Sequence, residues 1–543
     1  MPPRSAWPSG LLLALLPLVA CASPQEYREE ADEEVYELVL ERRAELFGQD
    51  GEFSIDPPED SLRQRALRGE IEELPALDLA ACLDIAAENS RDFQRQKEQL
   101  YLAALDLTLE RWRFGWQFDG SLDATVNGTG EEAGSANTGG DLGLSRLLGT
   151  GAQVVGNIGT SLFRALSTGD GWDALSSISL SVSQPLLRGS AREVVMEPLT
   201  QAERDLVYQV RTFERYRRTF AVDIANRYFR LLQTRDSVEN EQRNFANLAI
   251  LRARNEALAE AGQMSDMEAA EARSDELSSE NRLLDLQQNY ERSLDDFKIF
   301  LGLPPELVID LDAAPLAGLS TTDELGLVLM PEEDLVAVAL ERRLDFLNEA
   351  DQFVDAERRV RLAEDALRMG LDVTASVGSS SEEGRPLAFR SDGTPWSVGL
   401  RADLPIDQLP ERNSYRSALI SLENVRRNLE LTEDRIRADL REALRQLRTS
   451  EMSYLIQETS VTTNEARLES ALLRQEAGRS DTQEVLRAQE SLLAAQNART
   501  RAKIDLALTR YDFFTQLEVL HVAEDGIEID EAALPEPAAP AEE

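Results

Sequence analysis

The chain has 543 residues, of which 42% are hydrophobic and only 6% are aromatic. Globular cores are usually rich in aromatic side chains, so this composition favours elongated helical packing over a compact globular domain. Acidic residues number 100 against 57 basic ones, and the net charge of -43 would repel a phosphate backbone, which argues against nucleic acid as a partner.

The N-terminus has the features of a secretion signal, because Arg4 is followed by the short apolar run LLLALLPLVA and by small residues. Within it, LVAC resembles the lipobox of bacterial lipoproteins, in which the chain is cut before the cysteine and the sulfur is acylated. An ordinary secretory peptide with an incidental cysteine is the alternative. We expect residues 1–20 to be a signal peptide and Cys21 to carry a lipid anchor. The acidic segments 21–75 and 523–543 are expected to be a mobile linker and a mobile tail rich in Pro and Ala.

Two stretches of the chain share a pattern that indicates an internal two-fold sequence repeat. The segment IAAENSRDF aligns with VALERRLDF, and three positions coincide: Glu88 with Glu341, Asp92 with Asp345, and Phe93 with Phe346. Each segment belongs to an opening helix, the first predicted to be continuous over about 38 residues. We predict a first repeat over residues 76–311 and a second over 332–522. The segment 312–331 joins them and is expected to wrap the helices near their middle.

After each opening helix the hydrophobic period changes to two. The segments DGSLDATVNG and SSISLSVSQP in the first repeat, and LDVTASVG and WSVGLRADLP in the second, alternate apolar with polar residues. This pattern predicts four strands with one apolar and one polar face, which suits a barrel between lipid and water and also a half-buried soluble sheet. An additional hairpin is predicted around Gly149–Gly151, over residues 139–163, in the first repeat only. It could extend the barrel or form a cap or a loop.

Long helical segments follow the strands of each repeat. They are predicted over about residues 190–261 and 411–477, and each contains few residues that break helices. Returning helices are predicted over about 266–301 and 481–520. An opening helix and a returning helix stacked end to end would together match the length of one long helix and could pack along it.

Both long helices end in the same kind of turn, within EALAEAGQMSDMEAAEAR and LLRQEAGRSDTQEVLRAQ. Gly262 and Gly478 permit the tight reversal, because glycine adopts left-handed backbone angles without strain. Polar residues follow each glycine and are predicted to cap the returning helices by accepting hydrogen bonds from the first N–H groups. They are Ser265, Asp266, Ser480 and Asp481.

Together these segments resemble the TolC-like outer-membrane efflux protein family over about residues 76–522. The resemblance rests on LDLAACLDIAAENSRDF, SLSVSQPLLRG, FLGLPP and the two turns. It implies a mainly α fold with a small transmembrane β part: a homotrimer whose long antiparallel helices form an α-helical barrel that continues into a β-barrel. It also implies a lipid-anchored channel subunit in the outer membrane of a Gram-negative-type cell, extending into the periplasm. Such a subunit is a passive export duct for tripartite efflux or type I secretion, with a periplasmic adaptor and an inner-membrane pump as partners.

The family pattern places acidic side chains just after each turn, where they form part of a constriction at the periplasmic mouth. In this sequence Glu268 and Glu484 lie six residues after the two glycines, with Glu271 and Arg487 one helical turn further. Acids in a narrow mouth would favour cations over anions. Arg487 could instead pair with Glu484 or a neighbour and hold the mouth shut. The alternative is that all four are solvent-facing helix charges.

The turns themselves are expected to dock the adaptor. The residues assigned to this role by the resemblance are Gly262, Ser265, Asp266, Gly478, Ser480 and Asp481. For the polar members of this set, helix capping alone is the simpler alternative.

No catalytic motif is recognisable. His521 is the only histidine, it has no metal-ligand spacing around it, and no Gly-rich phosphate loop follows a strand. We therefore expect no enzymatic activity, cofactor or metal site. Two other classes are considered: a periplasmic adaptor lipoprotein, which usually has one helical hairpin flanked by small β domains, and a periplasmic coiled-coil scaffold without a pore, which would leave the alternating segments unexplained.

Overall fold

The structure is a computed structural model. It describes residues 23–48, 53–58, 60–129, 132–165, 172–319, 330–382, 384–389, 394–477, 479, 482–523 and 526–535. The predicted signal peptide, Cys21, Gly478, Ser480 and Asp481 lie outside the described residues. None of the described helices combines the length and apolar composition that a membrane span requires.

Helices make up most of the described chain. They are α1 (Pro24–Phe47), α2 (Leu62–Leu67), α3 (Leu79–Asn89), α4 (Arg91–Arg113), α5 (Arg192–Val195), α6 (Glu197–Glu260), α7 (Asp266–Leu301), α8 (Ala314–Gly318), α9 (Glu332–Arg342), α10 (Leu344–Ala366), α11 (Leu409–Glu476) and α12 (Thr482–Leu517). The strands are β1 (Gln117–Thr129), β2 (Glu132–Leu147), β3 (Gln153–Ala165), β4 (Asp173–Pro185), β5 (Gly370–Glu382), β6 (Arg385–Phe389), β7 (Trp396–Asp403), β8 (Leu520–Ala523) and β9 (Gly526–Ile529). The prediction of a mainly α fold with a small β part is confirmed, while the internal repeat and the trimer stay predictions.

The chain divides into two compact units, each built from three stretches of sequence. Unit 1 consists of Met1–Ser54, Gln99–Val210 and Leu362–Arg412. Unit 2 consists of Ile55–Glu98, Arg211–Arg361 and Asn413–Glu543. Unit 1 holds the large sheet and α1, and unit 2 holds the greater part of the long helices.

The sheet of unit 1 is antiparallel throughout, with the order β1-β2-β3-β4-β5-β7. The short strand β6 pairs with the end of β5 beyond β7. All four strands that the alternating pattern predicts are present, as β1, β4, β5 and β7. The additional hairpin is also present, as β2 and β3, and it lies between β1 and β4 as a full member of the sheet.

The turn of this additional hairpin requires glycine at one position. Gly151 has φ 81°, and a Cβ there would lie 2.6 Å from the Gly189 carbonyl oxygen and 2.8 Å from the Pro185 ring. The turn is therefore packed against the segment that leads from β4 into the helices. An alanine at this position would meet both left-handed strain and a backbone clash.

Cross-strand pairing separates the side chains of the sheet into two faces. On the apolar face, directly paired residues are Leu142 with Ile158, Ile158 with Ile178, Leu180 with Val377, and Val373 with Leu400. On the polar face, directly paired residues are Ser121 with Asp141, Asn157 with Ser179, Ser181 with Ser376, and Ser376 with Ser397. The two faces stay continuous across all six strands. A slip of any strand by one residue would exchange its faces, so the pairing register is well defined.

The segment expected to be a mobile N-terminal linker contains α1, so the expectation of mobility is wrong for those residues. Ser23 caps this helix and forms a capping box with Glu26. The helix packs on α4, where the Tyr101 hydroxyl donates to Asp32 at 2.7 Å and the Tyr101 ring meets Tyr36 edge-on at 6.0 Å. Its high charge suggested a linker, but its apolar residues, including the buried Val35, form one packed stripe.

In unit 2 the predicted continuous opening helix is wrong, because it is broken into α3 and α4 at Ser90. The second opening helix is broken in the same way at Arg343, and both residues have extended backbone angles. At the first break, Gly302 crosses so closely that a Cβ there would lie 2.0 Å from the Asn89 carbonyl oxygen. At the second, the Arg343 guanidinium donates to Gln516 at 2.9 Å. The two breaks occupy aligned positions of the proposed repeats.

The segment between the predicted repeats contacts the middle of α6. The Tyr228 hydroxyl donates to the Asp312 carbonyl oxygen at 2.7 Å, and the chain just before Asp312 pairs with the strand-like segment before α3. Further along, Lys503 on α12 donates to the carbonyl oxygens of Leu316 and Ala317 at the end of α8, both at 2.9 Å. The described part of this segment thus contacts both α6 and α12.

The acidic tail is also ordered in part, so its predicted mobility is wrong as far as residue 535. The last long helix ends at Leu517, three residues earlier than predicted, and β8 and β9 follow as a small antiparallel pair. Ile527, Ile529 and Leu534 pack against the apolar core formed by α9, α11 and α12.

Glu518 joins the end of α12 to α6 through a buried ion cluster. It is the one residue other than glycine with positive φ in the described chain, at 59°, and its side chain is 1% exposed. Arg215 and Arg218 of α6 both donate to this carboxylate, Arg218 at 2.8 Å. Gly302 ends α7 with the same left-handed geometry. The second hairpin thus uses a charged residue where the first uses glycine.

Substitutions of Glu518 should separate the stabilisation by its ion pairs from the cost of its left-handed backbone conformation. Glu518→Ala leaves the two guanidinium groups without their carboxylate, so the free energy of unfolding should fall by about 3–5 kcal/mol. Glu518→Gly loses the same contacts but relieves the left-handed strain, and it should be about 1 kcal/mol more stable than Glu518→Ala. Denaturant unfolding in detergent measures both. The exposed Glu528→Gln should change stability by less than about 0.5 kcal/mol, and a Glu518→Ala variant as stable as wild type would contradict the assignment.

Candidate functional site

The first helical turn, at the end of α6, is built by backbone and side-chain caps. Gly262 has φ 72°, and the N–H groups of Gly262 and Gln263 donate to the carbonyl oxygens of Ala259 and Leu258, both at 2.9 Å, which is a Schellman motif. Ser265 is the N-cap of α7 and forms a capping box with Glu268. Ser265 therefore has the predicted capping geometry. Asp266 is instead the first helical residue, where its charge favours the positive end of the helix dipole.

The second turn, at the end of α11, has one of the two backbone hydrogen bonds found in the first turn. The Arg479 N–H donates to the Arg474 carbonyl oxygen at 2.8 Å, which is the same spacing as the bond between Gln263 and Leu258 in the first turn. Thr482 begins α12 and is 1% exposed. We name the two turns, with the adjoining helix ends, the tip.

The four residues predicted to form the mouth lie on α7 and α12 near the tip, but each has a local contact. Glu268 accepts from the backbone N–H of Ser265 at 3.1 Å and is thus a helix cap. Glu484 accepts from Arg474 of α11 at 3.2 Å. Arg487 donates to Gln483 at 3.0 Å, within its own helix. These contacts account for the residues as helix and hairpin charges, and their role in a mouth stays a prediction.

Glu271 connects the two hairpins. Both of its carboxylate oxygens accept from the Gln483 side-chain amide at 3.1 Å, so a bond runs from α12 to α7. Since Arg487 donates to the carbonyl oxygen of the same amide, it orients the amide nitrogen towards Glu271. The sequence singled out Glu271 and Arg487 but missed Gln483, which lies between them.

A row of polar contacts, also missed by the sequence analysis, joins α6 to α12 in the half of α6 that leads to the tip. The contacts are Asp236 with Thr500 at 2.7 Å, Asn240 with Asn497 at 2.8 Å, and Asn255 with Thr482 at 3.2 Å. We name this row the polar seam. Asn255 is fully buried, and Leu248 and Leu251 pack against Leu486 between the polar pairs.

The polar seam had a signal in the sequence. Residues 240, 244, 248, 251 and 255 are spaced by three or four, which is the spacing of helix core positions, and three of the five are asparagine. The apolar Val238 and Phe245 are only partly buried, whereas the neighbouring Asn240 and Asn244 are buried. Asparagine at core positions lowers stability and fixes register, so its presence points to a specific pairing of helices.

The family comparison bears on the second half of the chain. Residues 335–510, which run from α9 into α12, match the family model described as outer membrane efflux protein. This segment is similar to outer membrane efflux proteins. The predicted resemblance to TolC-like outer-membrane efflux proteins is thereby confirmed.

Solved structures of outer-membrane proteins are similar in fold to this chain. The CmeC channel of Campylobacter jejuni is 18% identical, with a TM-score of 0.58, over 81% of this chain and 85% of that one. VceC of Vibrio cholerae is 16% identical, with a TM-score of 0.60, over 81% and 95%. The open-state MtrE channel of Neisseria gonorrhoeae is 16% identical, with a TM-score of 0.60, over 81% and 88%. No curated protein sequence gives a significant match.

Near the tip, α12 also brings an acidic residue, Glu490, close to α7. Asp275 on α7 lies beside a small cavity lined in part by Arg282 of α7 and Glu490 of α12. Burial, followed by the charges of Glu490 and Glu271, raises the pKa of the Asp275 carboxyl, and Arg282 opposes this rise. Among the described residues, no group of three or more His, Cys, Asp or Glu side chains could hold a metal ion.

Asp275 should make stability near the tip depend on pH. Because its pKa is raised in the folded state, its contribution is present at low pH and is lost as pH rises through that pKa. Asp275→Asn cannot ionise, so it should raise the unfolding temperature relative to wild type at about pH 7 and much less at about pH 4. Asp285→Asn, an exposed change in the same helix, is the control. Equal shifts for the two variants at both pH values would contradict the assignment.

Proposed function

We propose that the chain is one subunit of an outer-membrane channel, a passive export duct that opens at the tip. The observation that carries this proposal is the seven-stranded sheet of unit 1, in which the six strands from β1 to β7, without the short β6, form a ladder with an apolar face, a polar face and two open edges. A sheet of this kind suits a wall with lipid on one side and water on the other. Neither rival class, a periplasmic adaptor or a scaffold without a pore, provides a use for it.

The two edges favour association of identical copies. β1 and β7 each pair on one side only among the described strands, and an unpaired edge in lipid would leave N–H and C=O groups without partners. Phe118 and Leu122 on β1 are both 79% exposed, and Trp396 on β7 is 75% exposed. The apolar face is thus most exposed where another copy would continue it.

The even number of strands from β1 to β7 allows identical copies to close into one sheet that is antiparallel throughout. Because β1 and β7 are the first and last of six successive antiparallel strands, they run in opposite directions. β7 of one copy can therefore pair antiparallel with β1 of the next. In a trimer this gives a closed sheet of eighteen strands, three times six. Closed sheets of about 16–18 strands leave a water-filled channel, whereas eight strands are filled by side chains.

The hydrogen bonds of the polar seam suit a region where α12 would separate from α6 when the duct opens. Separation of α12 from α6 would break amide and hydroxyl hydrogen bonds, which water can replace, so each contact resists opening by only about 0.5–1.5 kcal/mol. An apolar seam of the same length would expose hydrophobic surface to water at a greater cost. The bond between Gln483 and Glu271 would break in the same movement, since it joins the two hairpins.

The remaining parts of the proposal follow from the resemblance. The subunit would be a homotrimer, lipid-anchored through Cys21 in the outer membrane, with the tip in the periplasm. Gly262, Ser265 and Asp266 of the first turn, with Gly478, Ser480 and Asp481 of the second, would dock an adaptor that links the duct to an inner-membrane pump. Energy for transport and choice of substrate would then belong to the pump.

Conductance in planar lipid bilayers tests both the channel and its gate. Purified wild-type protein should form channels with a low-conductance closed state. Gln483→Ala removes the bond to Glu271, so closed-state conductance should rise several-fold, and Arg487→Ala should act in the same direction. Gln288→Ala, an exposed change on α7, should leave conductance unchanged. Absence of any channel activity would overturn the proposed function, and an unchanged Gln483→Ala channel would overturn the gate.

A further inference from the structure

The polar face of the sheet is strongly acidic. Its acidic residues in the regularly paired parts of the strands are Asp119, Asp123, Asp141, Asp173, Asp372 and Asp403. In the described parts of the six long strands, Arg401 is the one basic residue on this face. Over the regularly paired residues 117–127 of β1 and 135–147 of β2, and over the paired parts of the other four strands, the apolar face carries no acidic residue. The charge asymmetry therefore belongs to the side that would face water.

Three of the acids share a geometry that the others lack. Asp119 is paired directly with Gly143, Asp123 with Gly139, and Asp141 with Gly159. A Cβ on these glycines would lie 2.2, 2.8 and 2.3 Å, respectively, from the nearest carboxylate oxygen. Each carboxylate thus lies across a glycine of the next strand, in space that any other side chain would fill.

These three carboxylates lie close to one another and lack basic partners. Asp141 on β2 is paired with Ser121, midway between Asp119 and Asp123, so its Cα is about 8 Å from each of theirs. Among the described residues, no Lys or Arg forms an ion pair with any of the three. By contrast, Asp403 pairs with Arg188 at 3.2 Å and Glu382 with Arg385 at 3.5 Å.

The additional hairpin supplies most of this arrangement. Asp141 and all three of the glycines, Gly139, Gly143 and Gly159, belong to β2 and β3. Three of the seven glycines in GGDLGLSRLLGTGAQVVGNIGTSLF thus make room for carboxylates that lie flat against the wall. Carboxylates in this position place negative charge at the wall without projecting into the interior.

We propose that Asp119, Asp123 and Asp141 are specificity-determining residues that give the duct its preference for cations, so that neutral and cationic substrates pass more readily than anionic ones. This inference rests on the proposed function. The Cα atoms that carry these carboxylates are about 8 Å apart, which is about one Debye length at physiological salt, so the potentials of the carboxylates overlap. Repetition of the set in each copy would surround the water-filled interior with negative charge, as rings of acids do in cation channels.

Reversal potentials in planar bilayers under a KCl gradient test this inference. Wild-type channels should be cation-selective, and each of Asp119→Asn, Asp123→Asn and Asp141→Asn should lower the permeability ratio of K⁺ to Cl⁻ by about twofold, with a larger fall in the triple variant. Asp106→Asn, which removes an exposed carboxylate from α4 outside the sheet, should leave the ratio unchanged.

The outcomes separate this inference from the function it rests on. Channels whose ratio is the same in wild type, single variants and the triple variant would overturn the selectivity inference and leave the channel intact. A wild-type channel that prefers anions would also overturn it. If wild-type protein forms no channel, the proposed function fails and the inference fails with it. The single variants keep the test decisive if the triple variant does not insert.

Discussion

The rest of the account depends on backbone pairing at the two open edges of one two-faced sheet. Each edge strand has a row of N–H and C=O groups that need partners wherever water is excluded. The apolar face makes such surroundings favourable, and the antiparallel order lets one edge of a copy satisfy the other edge of the next. The turn at Gly151 then matters beyond the hairpin, because β2 and β3 raise the number of strands in the ladder from β1 to β7 from four to six.

Unit 2 divides its packing between two kinds of contact. One part is apolar and dense, with Leu440, Leu506 and Phe513 fully buried around the end of α12 and Glu518 tied to α6 beside them. Towards the tip, the same pair of helices is joined by asparagine, threonine and aspartate side chains. Apolar packing resists separation more strongly than hydrogen bonds do, so under the proposed function the apolar part would stay closed while the polar seam opens.

Sequence alone predicted the features that depend on simple periodicity. The alternation in SSISLSVSQP and WSVGLRADLP identified β4 and β7, and glycine with a following serine identified the first turn, because these patterns determine local structure directly. The breaks at Ser90 and Arg343 could not be found in this way. No Pro or Gly marks either one, and at the first break it is a distant residue, Gly302, that crosses against the chain.

The other misses have equally specific causes. The high charge of α1 suggested a linker, although Ser23 and Glu26 have the spacing of a capping box and could have indicated a helix. The polar seam was overlooked because core positions were assumed to be apolar. The bond between Gln483 and Glu271 was beyond reach, because it joins side chains 212 residues apart whose meeting depends on the packing of two hairpins. Local rules predict elements, while contacts between elements require the structure.

Disulfide cross-linking between edge strands tests the central claim most directly. A cysteine at Ser121 on β1 would be combined in turn with one at Ser397, Gly399 or Arg401 on β7, all on the polar face, in protein oxidised within membranes. Edge pairing brings Cα atoms within the roughly 7 Å that a disulfide needs. The account predicts that at least one combination gives reducible dimers and trimers and nothing larger, while each single cysteine gives no trimer. Monomer alone in every combination, or an open ladder beyond the trimer, would contradict it.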